Sequence, residues 1–295
     1  MPGGLRSIRG LSLFAAACLF VCAAPAFARA SDPKIDALAD KLAHRLGNAK
    51  AVKQRQGAPV FYLVFDISDS AGHTTLLGGQ LADTVSEALS NRLPGLTPID
   101  RAKLRELRTV ERIESSVLRE NVYAASWAAK SLGARLVVLG TIEPLGEKFN
   151  LHLRVIDQHS SIDIADAGEY LDWTEERRLW DRSLLPSLPP VAHKTDLPSP
   201  GRGYPEPVCM HCAQPQYTDE ARKAGIQGTI LVEVTIGPEG RVEDVVPIRG
   251  LPCGLTQETV AVAKTWQFQP VIGPDGKAVR LRLTFETTFG ITSFR

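Results

Sequence analysis

The first two thirds of the chain contain continuous apolar runs separated by helical patterns. Val60–Phe65 and Leu136–Ile142 are such runs, and their length and β-branched content predict strands that are buried on both faces. Between them, apolar residues recur at helical spacing at Leu77, Leu81, Val85 and Leu89. These positions predict one helix, and a further helix is predicted over 122–132.

The pattern changes after the second run. From Phe149 to Val155 apolar and polar residues alternate, which predicts a half-exposed strand, and Ile162 begins another. Buried strands separated by helices and then followed by a β-meander predict an α/β domain with a mixed sheet.

The last third of the chain has a strand–turn–strand–helix–strand pattern. Alternation predicts strands around Thr229–Ile236 and Val242–Ile248, joined by a turn at 237–240. A helical stripe comprises Leu255, Thr259, Val262, Ala263 and Trp266. The last strand alternates Leu281, Leu283 and Phe285 with Arg280, Arg282, Thr284 and Glu286. With a short helix over 219–224, capped by Thr218, this predicts helices on a three-stranded antiparallel sheet.

A proline-rich segment separates the two patterns. Seven prolines lie between Pro186 and Pro207, and proline can neither donate to a sheet interior nor continue a long helix. The segment is therefore interpreted as an extended linker over 186–207. It divides the chain into an α/β domain over 29–185 and a second domain over 208–295, and the fold class is α+β overall.

The amino terminus has the pattern of an export signal. Arg6 and Arg9 precede an uncharged apolar run, and Ala26-Phe27-Ala28 has the spacing of a peptidase site. We expect residues 1–28 to be a signal peptide, which makes the protein periplasmic. The alternative is an uncleaved anchor in the inner membrane, because 11–28 carries no charge and is just long enough to span a bilayer.

Charge and motifs exclude several function classes. The chain has 34 basic and 33 acidic residues among 295, so bulk charge does not drive nucleic-acid binding and no nucleic-acid partner is expected. The sequence lacks nucleophile-elbow, phosphate-loop, zinc-protease and dinucleotide motifs. We therefore predict no enzyme, no catalytic residue, no cofactor and no metal. Asp66 with Asp69 after a buried strand, and His152 on a strand, are interpreted as structural or solvated residues.

The second domain resembles the TonB carboxy-terminal domain, which transmits force from the inner membrane to outer-membrane receptors. The resemblance runs from Gln214 to Phe294, and Thr218 stands where the family usually has proline. Its pieces are Gln214-Pro215-Gln216-Tyr217, Ala221-Arg222 with Gly225-Ile226-Gln227-Gly228, Val232-Glu233-Val234, Pro238-Glu239-Gly240-Arg241-Val242, Trp266-Gln267-Phe268-Gln269-Pro270 and the last strand. The first domain is similar to the α/β domain of curli-secretion and flagellar-assembly lipoproteins and of the amino-terminal part of TolB. That similarity rests on the helix Leu81 to Leu93, on Pro98-Ile99-Asp100-Arg101, and on Leu132-Gly133-Ala134 with the strand Val137 to Ile142. The strand Leu151 to Asp157 follows in the same order.

The resemblance implies a partner and the residues that bind it. The partner is a peptide of an outer-membrane receptor or another envelope protein, together with a proton-driven inner-membrane motor complex if the leader stays as an anchor. The implied binding residues fall into two groups. Gln214, Gln216 and Tyr217 lie in the segment that begins the second domain, and Arg280, Leu281, Arg282, Leu283, Thr284, Phe285 and Glu286 lie on the last strand. A sheet edge with unpaired backbone groups suits such a role. The alternatives are that Tyr217 merely packs, and that the protein is a soluble periplasmic adaptor without energy transduction.

Three cysteines remain after the predicted leader. Cys209 and Cys212 flank His211 in a C-x-x-C pattern, and Cys253 lies further on. In an exported protein a disulfide is expected, with free thiols or a metal site as alternatives. The sequence does not determine which two cysteines pair.

Overall fold

The computed structural model describes residues 32–53, 58–185, 188–191, 197–201 and 203–290. The chain from Asp32 onward forms one compact unit. The expected leader, residues 1–28, lies outside the described residues. Within the described ranges, none of the helices has the length and apolar character needed to cross a bilayer.

The α/β part contains a mixed sheet. Its helices are α1 (Pro33–Asn48), α2 (Lys50–Lys53), α3 (Leu76–Arg92), α4 (Arg101–Glu111), α5 (Ser115–Glu120), α6 (Val122–Ser131) and α7 (Glu175–Asp181). Its strands are β1 (Val60–Val64), β2 (Ser68–Asp69), β3 (Leu96–Pro98), β4 (Leu136–Leu145), β5 (Lys148–Asp157) and β6 (Ile162–Asp172). The strand order is β3-β1-β4-β5-β6, with β2 paired to β4.

Both halves of this sheet agree with the hydrophobic pattern. Strand β1 is parallel to β3 and β4, whereas β4, β5 and β6 form an antiparallel meander. The predicted mixed α/β sheet is confirmed. One detail differs, because Phe61 in β1 is 41% exposed although this strand was expected to be buried on both faces.

The carboxy-terminal part contains the predicted antiparallel sheet. Its elements are β7 (Cys209–His211), α8 (Asp219–Ala224), β8 (Gly228–Ile236), β9 (Val242–Arg249), α9 (Leu255–Ala263), β10 (Gln267–Phe268) and β11 (Leu281–Phe289). The three-stranded sheet has the order β11-β8-β9, and β7 pairs separately with β10. The Thr218 hydroxyl accepts a hydrogen bond from the Ala221 N–H at 3.2 Å, so the predicted cap of α8 is confirmed.

The two parts pack against each other. One hydrophobic cluster includes Leu104 and Ile113 of the α/β part together with Leu251 and Leu255 of the carboxy-terminal part. Backbone groups also meet across this contact, because the Gly250 N–H donates to the Arg112 carbonyl oxygen at 2.8 Å. The division into domains over 29–185 and 208–295 stays a prediction.

The described pieces of the proline-rich segment lie against the folded parts at two points. The Pro189 carbonyl oxygen accepts a hydrogen bond from Arg112 Nη1 at 2.6 Å. The Pro198 carbonyl oxygen accepts one from the Arg282 N–H at 2.9 Å. At these points the segment is bound to the protein surface, and its role as a linker over 186–207 stays a prediction.

Candidate partner-binding edge of the carboxy-terminal sheet

Strand β11 forms one edge of the three-stranded sheet. It pairs only with β8 among the described strands, in an unbroken register from Leu281 opposite Ile236 to Phe289 opposite Gly228. Because the Arg282 N–H donates to Pro198, the backbone groups of Arg282 point away from β8. Backbone direction alternates along a strand, so the N–H groups of Thr284, Glu286 and Thr288 also point outward. No backbone hydrogen bond from the described part of the chain reaches these three residues.

The opposite edge of the sheet meets the α/β part. Near the end of β9, Arg112 Nε donates to the Ile248 carbonyl oxygen at 3.1 Å, and the Gly250 N–H bonds to the Arg112 carbonyl. The two edges therefore differ. Strand β9 ends against another part of the protein, whereas among the described residues β11 is covered by the proline-rich segment at Arg282 alone.

The charged side chains at the start of β11 are paired within the sheet. Arg280 makes two hydrogen bonds to the Glu243 carboxylate, at 2.6 and 3.1 Å, and these raise the pKa of Arg280. Arg282 Nε lies 3.4 Å from Glu233 Oε2. Further along, the side chains of Thr284 and Glu286 are exposed. The exposed polar stretch of the edge therefore begins after Arg282.

The other face of β11 belongs to the core. Leu281 is fully buried, whereas Leu283 and Phe285 are half-buried. The Phe285 ring lies 4.9 Å from the ring of Trp266 and 5.7 Å from that of Phe268, measured between centroids. Of the predicted partner-binding residues, Leu281 therefore offers no exposed side chain, while Leu283 and Phe285 are partly accessible beside the edge.

The segment 214–217, which leads into α8 and is called the entry segment, contacts the carboxyl end of β11. Tyr217 donates its hydroxyl hydrogen to the Ile226 carbonyl oxygen, and its ring meets Phe289 edge-on at 5.5 Å. Burial raises the pKa of Tyr217. Gln214 and Gln216 have exposed side chains, and Pro215 between them is buried. Tyr217 therefore packs the entry against the sheet, and the two glutamines are the accessible members of this group.

The cysteine pairing is resolved by the structure. Cys209 and Cys212 form a disulfide with an S–S distance of 2.02 Å, while Cys253 is free and buried. Burial raises the pKa of the Cys253 thiol to about 12, so this group stays protonated at neutral pH. Among the described residues no group of three or more His, Cys, Asp or Glu side chains is placed to hold a metal ion.

Thiol labelling should distinguish the three cysteines. In the folded, oxidised protein we expect iodoacetamide at pH 8 to modify none of Cys209, Cys212 and Cys253. After mild reduction the first two should be modified, because both lie near the exposed β7 segment, and Cys253 should react only after denaturation. Peptide mass mapping measures each position. Modification of Cys253 in the folded protein at the rate of Cys209 would contradict this assignment.

The remaining titratable residues noted in the sequence form local ion pairs. Asp66 is bonded by Arg101, and Asp69 Oδ2 lies 3.1 Å from His73 Nδ1. His152 Nε2 lies 3.6 Å from Asp166 Oδ2 at the surface of the meander. These contacts give Asp66, Asp69 and His152 three different partners.

Comparison with known proteins agrees with the carboxy-terminal geometry. Residues 213–291 match the family model described as Gram-negative bacterial TonB protein C-terminal. The TonB resemblance is confirmed for this part of the chain. No curated protein matches the chain.

Several solved structures are similar to parts of the chain. The LpoB C-terminal domain from Salmonella enterica is 14% identical, with a TM-score of 0.38, and the match covers 47% of this chain and 98% of that one. The TonB carboxy-terminal domain of Pseudomonas aeruginosa is 26% identical, with a TM-score of 0.26, covering 32% and 93%. Lipoprotein GNA1162 from Neisseria meningitidis is 16% identical, with a TM-score of 0.31, covering 40% and 84%.

Residues 213–291 therefore form a TonB-type domain, and the disulfide between Cys209 and Cys212 directly precedes it.

Proposed function

We propose that this protein binds an extended peptide segment of an outer-membrane receptor or another envelope protein by adding it as a strand to β11. The observation that carries the proposal is the row of outward backbone groups at Thr284, Glu286 and Thr288. An exposed strand edge of this kind binds a peptide through main-chain hydrogen bonds, and alternate side chains provide selectivity.

The neighbouring residues set the length and chemistry of the bound segment. Pro198 already accepts the Arg282 N–H, so the added strand pairs with the edge from Thr284 onward. On one face its side chains lie beside Thr284 and Glu286. On the other they lie beside the half-buried Leu283 and Phe285, which favours apolar residues at alternate positions of the partner.

The role is one of binding without catalysis. With an uncleaved leader, a motor complex of the inner membrane would act through the α/β part, and the protein would take part in energy-dependent transport across the outer membrane. With a cleaved leader, it is a soluble periplasmic adaptor. The packing of the α/β part against β9 and α9 favours the adaptor, since the contacts at Arg112 and Gly250 join the two parts instead of leaving a free tether.

Site-specific cross-linking in intact cells tests this proposal. A photoreactive phenylalanine analogue at Thr284 should capture an envelope protein, because this exposed side chain borders the added strand. The same analogue at Lys103, an exposed position on α4, serves as the control and should capture none. Mass spectrometry identifies the captured protein. An outer-membrane receptor supports the transport role, and another envelope protein supports the adaptor role. Failure to capture at Thr284, or equal capture at both positions, would refute binding at β11.

A further inference from the structure

A small cavity lies at the carboxyl end of β1. It has a volume of about 10 Å³ and is lined by Asp66, two residues after β1, by Arg108 of α4, and by Ser115 and Arg119 of α5. In the sheet, β1 lies between β3 and β4. After β1 the chain forms β3 on one side of it and later forms β4 on the other side. Ligands of open α/β sheets bind beyond the carboxyl ends of the strands at such a switch point.

Two arginines contact Asp66 at this place, and a third, Arg119, lines the same cavity. Arg101 is only 6% exposed and bonds Asp66, while Arg108 is 12% exposed with its Nη1 at 4.0 Å from Asp66 Oδ2. Arg119 donates from Nη2 to the Gly72 carbonyl oxygen. Asp66 is the one carboxylate among the residues lining the cavity, and it is already bonded to Arg101.

Two buried guanidinium nitrogens lack partners. Arg101 Nε and Arg119 Nη1 have no hydrogen-bond acceptor among the described residues. A buried donor on a charged group that bonds to nothing is costly, so the site is incomplete without an acceptor. Burial also lowers the pKa of Arg108 and of Arg119.

The other carboxylates that act on these arginines lie outside the lining of the cavity. Glu114 acts electrostatically on Arg108, and Glu120 and Asp69 act on Arg119, but none of the three lines the cavity. Asp83, which also bonds Arg101, is 65% exposed and so is largely screened by solvent.

We propose that this cavity binds a single halide-sized anion, chloride in the periplasm, held by Arg119 Nη1 and Arg108 with the Ser115 hydroxyl as a further donor. Its volume of about 10 Å³ corresponds to one particle of roughly water size. Sulfate and phosphate are larger than one such particle. A monovalent anion supplies the acceptor that Arg119 Nη1 lacks among the described residues. The site is independent of the β11 edge, so its test does not depend on peptide binding.

Bromide provides a direct test with the full chain. Crystals grown or soaked in sodium bromide should show an anomalous peak beside Arg119 Nη1. In solution, replacing gluconate by chloride at constant ionic strength should raise the melting temperature by about 2–4 °C, because binding to the native state stabilises it. Constant ionic strength removes general screening from the comparison.

Two variants assign the effect to the cavity. Arg119→Gln should abolish the chloride dependence of the melting temperature, whereas Arg105→Gln, at an exposed position of α4, should retain it. An ordered water without anomalous signal would overturn the proposal. So would an anomalous peak without any chloride dependence, since that is an adventitious ion only. Equal loss of the chloride effect in both variants would overturn it as well.

Discussion

Replacing Glu286 by proline is expected to lower the affinity for the captured partner segment by about tenfold or more, while the protein stays folded. The Glu286 N–H points away from β8, so proline removes a donor to the partner without breaking a bond within the sheet. One net hydrogen bond amounts to about 1 kcal/mol, and the proline ring also prevents close approach of the added strand. Each 1.4 kcal/mol corresponds to about tenfold in the dissociation constant.

The matched control is Glu286→Ala, which removes the carboxylate and keeps the N–H. Fluorescence anisotropy with a labelled peptide of the cross-linked partner measures both affinities. Circular dichroism and the melting temperature show whether the fold is kept. If proline and alanine reduce affinity to the same extent, then recognition depends on the side chain and not on the backbone, and strand addition is wrong.

Gly250→Ala is expected to lower the free energy of unfolding by about 2–4 kcal/mol. A Cβ atom at this position would lie 2.0 Å from the Glu111 carbonyl oxygen and 2.4 Å from Thr256 Oγ1. The backbone must then shift, and the hydrogen bond from the Gly250 N–H to Arg112 is lost with it. This loss of stability arises at the contact between the α/β part and the carboxy-terminal part, although the sequence predicts that the two parts are separate domains.

Urea denaturation followed by tryptophan fluorescence measures this change. Gly290→Ala is the control, because a Cβ there meets nothing within 4 Å. If Gly250→Ala is as stable as the control, the close contact between Glu111 and Gly250 is not part of the native protein. Two separate unfolding transitions in the variant would show that the two parts come apart before either unfolds.

The carboxy-terminal fold was predictable because its signals are local. Alternation places Ile230, Val232, Val234 and Ile236 on one face of β8, and all four are fully buried. The turn at Gly240 has a φ of 78°, as the glycine there predicts. The extent of α8 and its cap at Thr218 likewise follow from nearby residues.

Helices α4 and α1 were not predicted from the sequence. Helix α4 buries only Arg101 and Leu104, so it lacks the apolar stripe that marks α3. Helix α1 begins at Pro33 after the Asp32 cap and packs on α3 and β6, although its start signal is present in the sequence. The exposure of Phe61 also departs from the prediction, since apolar content alone does not reveal whether a strand face is covered.

Some features of the candidate binding edge follow from the residue types in the sequence, and others follow only from the tertiary structure. The residue types of the entry and last strand already indicated a TonB-like sheet edge, and the cysteine pattern already indicated a disulfide. Only the tertiary structure decided that Cys209 pairs with Cys212, that Tyr217 packs against Phe289, and that Pro198 covers the first outward position.

By itself, the sequence determined the principal strands, several of the helices and the presence of a TonB-type domain, because side-chain periodicity and turn chemistry act over a few residues. The tertiary structure decided which edge of the sheet is accessible, how the α/β part meets β9, and that Arg101 and Arg108 contact Asp66 beside a cavity lined by Arg119. These depend on contacts between residues far apart in the chain, and such contacts leave no local pattern to read.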